Sequence, residues 1–226
     1  MSIRRRLMMQ VGKSSPYDAM GYIKAGKIFH VDGINKGGDE TAWIDLVNGK
    51  RFPLVTGVTF DTDHVIFASG HGELKTTSAI RIPKDKGTIE AVFTYPTSRQ
   101  SIFYSGASGT MSLMMFNGNN FLMATGSGSR EQVTIPNSAK KIGKVSQYSV
   151  FVNSGKCNGE DMSTGSSTYW SVGKKYAIIG TSLDGSSYNF VGNLYCIRAY
   201  NRHLTNEERA HNLEVDNERF NLGLNI

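Results

Sequence analysis

The chain has 226 residues, including 25 glycines, five prolines and two cysteines, and 10% of it is aromatic. That length buries one sizeable core, two cysteines make no disulfide framework, and no apolar run approaches the ~20 residues of a membrane helix. The net charge of +6 is concentrated at one end: residues 1–27 hold Arg4, Arg5, Arg6, Lys13, Lys24 and Lys27 against Asp18 alone, whereas the rest carries 19 basic and 18 acidic residues.

In chain order, residues 1–20 read as a basic N-terminal arm and 21–226 as one domain. Arg4, Arg5 and Arg6 have no interleaved aromatics, so the arm is expected to lie on an acidic neighbour in an assembly rather than on nucleic acid. Leu7, Met8, Met9 and Val11 are too short an apolar stretch for a signal peptide. Gln10, Gly12 and Lys13 interrupt it and no small-residue cleavage site follows, so no secretion signal is expected.

Short β-branched and aromatic runs punctuated by glycine then predict strands within 21–34, 43–46, 65–69, 78–82, 88–95, 102–104, 110–116, 121–125, 132–135, 147–152 and 176–179. Asn48-Gly49 closes the second of these as a turn. Residues 88–95 alternate, with Ile89, Ala91, Phe93 and Tyr95 on one face. The glycine- and asparagine-rich stretches 106–109 and 117–120 predict a meander of hairpins. No repeat of solenoid period is present.

The segment 190–220, FVGNLYCIRAYNRHLTNEERAHNLEVDNERF, holds a final strand, an Asn201-Arg202 corner and a helix. Tyr195, Ile197 and Ala199 alternate with Cys196, Arg198 and Tyr200, while Leu194 and Ile197 are out of phase, which predicts a bulge between them. Thr205 with Glu208 three positions on makes a capping box, and Glu207 and Glu208 sit at the positive end of the helix. Ala210, Leu213 and Val215 offer its apolar edge. Cys196 reads as a small buried side chain.

This closing segment resembles that of the concanavalin A-like lectin/glucanase domains, laminin G-like modules included. Ile28-Phe29-His30-Val31-Asp32-Gly33-Ile34-Asn35 resembles their opening strand, and Trp43-Ile44-Asp45-Leu46 with Asn48-Gly49 the Trp-x-Asp-Leu turn that follows. Thr88-Ile89-Glu90-Ala91-Val92-Phe93 sits where they place a central strand. The resemblance spans roughly residues 21–222 and rests on the order and spacing of these motifs. It implies an all-β fold, a two-sheet antiparallel jelly-roll sandwich with a short C-terminal helix. The start, Ile3 to Met9, resembles the openings of phage and mobile-element proteins of gut bacteria.

The glucanase branch needs a carboxylate pair about 5–5.5 Å apart, which that branch supplies as Glu-x-Asp-x-x-Glu on one strand. Here the strand offers Glu90 alone, with Asp85 before it. Asp61/Asp63 and Glu160/Asp161 read as solvated turn residues, and Cys157 has no histidine signature beside it. No catalytic residues and no enzyme are expected. Calcium, which laminin G-like domains often hold through hard oxygen donors, would find Asp32 near the first strand. It would also meet Asn193, Tyr195 and Cys196 where relatives are acidic, and His64, His71 and Glu73 lack ligand spacing. No metal and no cofactor are expected.

What remains is recognition of sugar by loop aromatics and amides. Residues 163–171 contain Tyr169 and Trp170, and 181–189 contain Asp184, Tyr188 and Asn189; these five are the carbohydrate-binding candidates, against the alternative that Trp170 and Tyr188 cover the sandwich edge. The expected function is a non-catalytic virion protein, a capsid or tail decoration. Its lectin-like domain would contact host-surface or mucus carbohydrate, with its arm on other virion proteins and as a homo-oligomer. A bacterial carbohydrate-binding or adhesion module is the alternative, and a glycoside hydrolase a third. No membrane partner is expected.

Overall fold

The computed structural model describes residues 17–83, 86–94, 100–105, 111–116, 120–125, 129–139, 144–151, 154–168, 177–181 and 189–226. In chain order the strands are β1 Lys27–Asp32, β2 Ala42–Ile44, β3 Arg51–Pro53, β4 Val58–Phe60, β5 Val65–Phe67, β6 Leu74–Lys75, β7 Thr88–Thr94, β8 Gln100–Ser105 and β9 Met111–Phe116. There follow β10 Asn120–Thr125, β11 Ser129–Thr134, β12 Val145–Phe151, β13 Ser154–Cys157, β14 Glu160–Asp161, β15 Ser163–Thr168, β16 Ala177–Ile179 and β17 Gly192–Tyr200. The helix α1, Asn206–Phe220, comes last.

The strands form an all-β sandwich. One sheet runs β14-β13-β12-β7-β17-β5-β4, with β1 also paired to β17, and the other runs β15-β11-β10-β9-β8-β16-β6. The expected meander is present, since β8, β9, β10 and β11 pair consecutively and antiparallel. Phe29, Ile89, Ala91, Phe93, Val150, Ile197 and Ala199 of the first sheet meet Leu74, Ile102, Phe103, Ala177 and Ile179 of the second in one core. Each Val, Leu, Ile or Phe among them taken fully out of water stabilises by roughly 1.5–3 kcal/mol. One outer strand of each sheet, β14 and β6, is two residues long and carries charge, Glu160-Asp161 and Lys75, which blunts those two edges.

The resemblance motifs have physical reasons. Trp43 is fully buried and its indole N–H donates to the Asp32 carbonyl at 3.0 Å. Asp45 accepts from the His30 and Val47 amides and from Asn48 Nδ2, and so seats the β2–β3 hairpin on β1. Gly49 closes the turn at φ 67, a left-handed conformation that glycine adopts without strain.

The predicted bulge exists: the β17–β7 register shifts between Leu194 and Cys196. It turns Tyr195 away from Ile197 and Ala199, to join Cys196, Val92, Leu213 and Phe220 beneath α1. Tyr195 therefore faces the helix, not the main core. Residues 78–82, predicted as a strand, form none. The Ser105 hydroxyl donates to the Ile80 carbonyl and accepts the Ile80 amide, so a side chain takes the backbone groups a ladder would use.

Candidate functional site

The outer face of the first sheet carries chemistry that its inner face does not. Pairing registers align His30 with Arg198, Arg198 with Glu90, Glu90 with Ser149, Ser149 with Lys156 and Lys156 with Asp161. Directly paired residues share a face. One polar row thus crosses β1, β17, β7, β12, β13 and β14 at right angles to the strands.

Helix α1 lies over this row with a polar underside. Its Thr205–Glu208 capping box is formed, with the Glu208 amide donating to Thr205 Oγ1 at 3.2 Å and the Thr205 amide donating to Glu208 Oε2 at 2.9 Å. The edge expected from Ala210, Leu213 and Val215 is only partly right. Leu213 and Val215 are buried, Ala210 is exposed, and Arg209, Asn212 and Asp216 are buried beside the apolar residues.

Arg198, fully buried, holds the centre. Its Nη1 and Nη2 donate to the Asp216 carboxylate at 2.7 and 2.6 Å, and its Nε and Nη2 donate to Glu90 Oε2 at 3.3 and 3.2 Å. Asn212 Nδ2 donates to the same Glu90 oxygen at 2.7 Å, while Asn212 Oδ1 accepts the Ile23 amide. The Tyr22 hydroxyl donates to Asp216 at 2.9 Å, and its ring stacks 3.9 Å from the Arg198 guanidinium carbon.

The charges shape one another. Burial raises the Glu90 carboxyl above its ordinary value; Arg198 opposes that and Asp216 adds to it. Burial opposes the charge on Arg198, but Asp216, Glu90 and their neighbours outweigh it and hold the guanidinium firmly protonated. Burial likewise lowers His30, whose Nε2 lies 3.6 Å from Asp32, and keeps it neutral. Asp32 feels burial as an upward push, yet His30, Arg219 and the Asn35 amide leave its carboxyl below the usual range.

Asp32 is thereby accounted for. It is fully buried, accepts two 2.8 Å bonds from Arg219 and caps the Ile34 and Asn35 amides. Among the described residues, no three His, Cys, Asp or Glu side chains converge as metal ligands. Glu90 and Asp216 are two carboxylates near one another, but both have zero exposure and both are bound to Arg198. Asp161 and Glu160 stand exposed on β14, and Cys157 and Cys196 are buried thiols.

At the Ser149 end of the row the helix leaves a groove of about 340 Å³ between α1 and strands β12–β13. Gln147 and Ser149 line it from the sheet, Lys156 and Gly159 from β13 and its turn, and Arg209, Ala210, Leu213 and Glu214 from α1. Sequence reasoning missed both the row and the groove. The signal available was Arg209, Asn212 and Asp216 at i, i+3 and i+7, a stripe that reads as a solvated face until the sheet's own charges are known.

Of the carbohydrate-binding candidates, Asn189 is half-buried beside Ser101, and its Oδ1 accepts the Thr181 hydroxyl at 2.8 Å. Tyr169, Trp170, Asp184 and Tyr188 lie outside the described residues, as do Arg4, Arg5 and Arg6 of the arm. From Tyr17 onward the chain is tied to the domain: Tyr17 bridges to Ile23 and stacks on His211 at 4.3 Å, and Asp18 pairs with Lys27.

No protein-family model matches the chain, and neither does any curated protein. Solved structures do share the fold. Trypanosoma rangeli sialidase, in complex with sialic acid, is 12% identical and superposes with a TM-score of 0.57 over 86% of this chain, which spans only 33% of the sialidase. Domain 4 of AbnA, a GH43 extracellular arabinanase from Geobacillus stearothermophilus, in complex with arabinotriose, is 14% identical with a TM-score of 0.57. It is matched over 99% of its length by 84% of this chain. At these identities the likeness is one of fold, a β-sandwich that carbohydrate-active proteins also contain.

Proposed function

We propose that this chain is a non-catalytic carbohydrate-binding domain, displayed on a phage particle through its basic arm. The observation that carries the first half is the match to the arabinanase domain along almost that domain's whole length, in a structure that holds arabinotriose. The absence of catalysis is supported by Glu90 and Asp216, which have no exposed surface to offer a substrate. Sugar contact is assigned to residues 163–171, of which Ser163–Thr168 form strand β15 rather than a loop, and to 181–189, through Tyr169, Trp170, Asp184, Tyr188 and Asn189. Aromatic faces there would stack on sugar rings and the amide and carboxylate would hydrogen-bond hydroxyls.

The display half rests on charge. Arg4, Arg5 and Arg6 belong to an N-terminal excess that the rest of the chain does not share, and such a segment suits an acidic face on a neighbouring particle subunit. Two experiments test the two halves. On a glycan array the Trp170→Ala/Tyr188→Ala double variant should lose retention while keeping its unfolding transition; unchanged retention removes the loop site. Mass spectrometry of purified particles should find the chain, and its absence there removes the display role.

A further inference from the structure

The geometry points to a second ligand site, in the groove between α1 and strands β12–β13, that takes one neutral sugar unit. The inference concerns residues apart from the loops and stands whether or not those bind. Gln147 and Ser149 are each 1% exposed and line the groove from the sheet. Gln147 Nε2 and Ser149 Oγ have no hydrogen-bond partner among the described residues, and neither has Glu90 Oε1 behind them. The Ser149 hydroxyl lies close enough to Glu90 to ease its charge, yet outside hydrogen-bond geometry. A buried amide donor without an acceptor costs about 1–3 kcal/mol, and native proteins satisfy nearly all such groups. Ser149 faces Glu90 in the β12–β7 register and can turn its hydroxyl to it, which leaves the Gln147 amide as the donor that calls for an acceptor; a sugar hydroxyl can accept from Gln147 and reach Ser149 beside it.

The remaining chemistry selects a neutral ligand over an anion. Lys156 is already held by Asp161 at 2.6 Å, and Arg209 donates to Asn206 at 2.6 Å. Glu214 adds a carboxylate to the wall. Two cations, Lys156 and Arg209, thus face two carboxylates, Asp161 and Glu214, and no net positive charge is left to receive a phosphate or an acidic sugar. Ala210, Leu213 and Gly159 supply an apolar side for a ring's C–H face. The volume of about 340 Å³ is at the lower end of the ~300–1,000 Å³ typical of small-molecule sites, which suits one sugar ring.

The test follows the Gln147 side-chain amide by ¹H–¹⁵N NMR during titration of the full chain with arabinose, galactose, glucose and arabinotriose, with N-acetylneuraminic acid as the acidic control. At least one neutral sugar should shift that amide saturably, and the acidic sugar should not. Gln147→Glu, which keeps the shape and removes the donor, should weaken binding about tenfold or more, and Ser149→Ala severalfold. The Trp170→Ala/Tyr188→Ala variant should keep the Gln147 shift, which separates this site from the loops. The proposal is overturned if no neutral sugar gives a saturable shift, leaving water as the occupant. It is equally overturned by an acidic sugar binding as well as the neutral ones, or by both groove variants retaining wild-type affinity.

Discussion

Arg198 is where the energetics of single residues concentrate, because one guanidinium compensates two carboxylates that have no access to water. Arg198→Met would leave Glu90 and Asp216 buried and unpaired, so a loss of about 3–5 kcal/mol is expected in urea unfolding; a loss under 1 kcal/mol would mean that water already reaches them. The titrations have opposite signs. Glu90 is raised above the ordinary 4.5, so the folded state holds its proton more tightly than the unfolded chain, and its contribution falls as pH rises from 4.5 through the raised value. Asp32 is depressed below 3.8, so what it contributes with Arg219 is complete above 3.8 and disappears as pH falls through the depressed value. Unfolding measured from acid to neutral pH should show Glu90→Gln flattening the upper decline and Asp32→Asn flattening the acid one. Glu90 was legible in the sequence as a lone acid on a strand. Its partner was not, because the β7–β17 register brings Arg198 to it across more than a hundred residues, and nothing local encodes that.

Elements were more legible than sites, for the same reason of range. The capping box needs only Thr205 and Glu208 at the right spacing, and the bulge needs only a phase slip between Leu194 and Ile197. Thr205→Ala should cost about 1 kcal/mol, read as a lowered urea midpoint at unchanged slope. The 78–82 segment failed as a strand because Ser105, distant in sequence, takes its backbone groups. Gly33 carries a comparable long-range constraint, since a Cβ there would stand 2.3 Å from the Asp63 carbonyl oxygen. Gly33→Ala should therefore destabilise by about 1–3 kcal/mol as the 61–64 turn is pushed away from the end of β1; an unchanged unfolding midpoint would show that the turn yields freely.

At the scale of the whole molecule, the first sheet is buried on both sides where α1 covers it, by the main core on one face and by the polar row on the other. Helix and sheet should then open together. Hydrogen exchange of the amides of residues 209–216 should report the same free energy as the centres of β7 and β17, and a helix exchanging several kcal/mol more easily would show that it undocks alone. The all-β character could be read from turn residues and alternation, and the two-sheet arrangement from the resemblance. The groove could not, because it is the space left between a helix and a sheet whose polar faces each read as solvent-exposed when taken singly.

The polar row also bears on how the protein comes into being on the ribosome. Tyr22 and the Ile23 amide are made early, while their partners Asp216 and Asn212 lie 194 and 189 residues further on. Until α1 emerges, Arg198 lacks Asp216 and Glu90 lacks Asn212. The growing chain can begin its second-sheet hairpins on the way out, but its first sheet stays open on one face until α1 is made. Contacts of such long sequence separation slow closure, and the interval before α1 docks is when the polar row stands open to water.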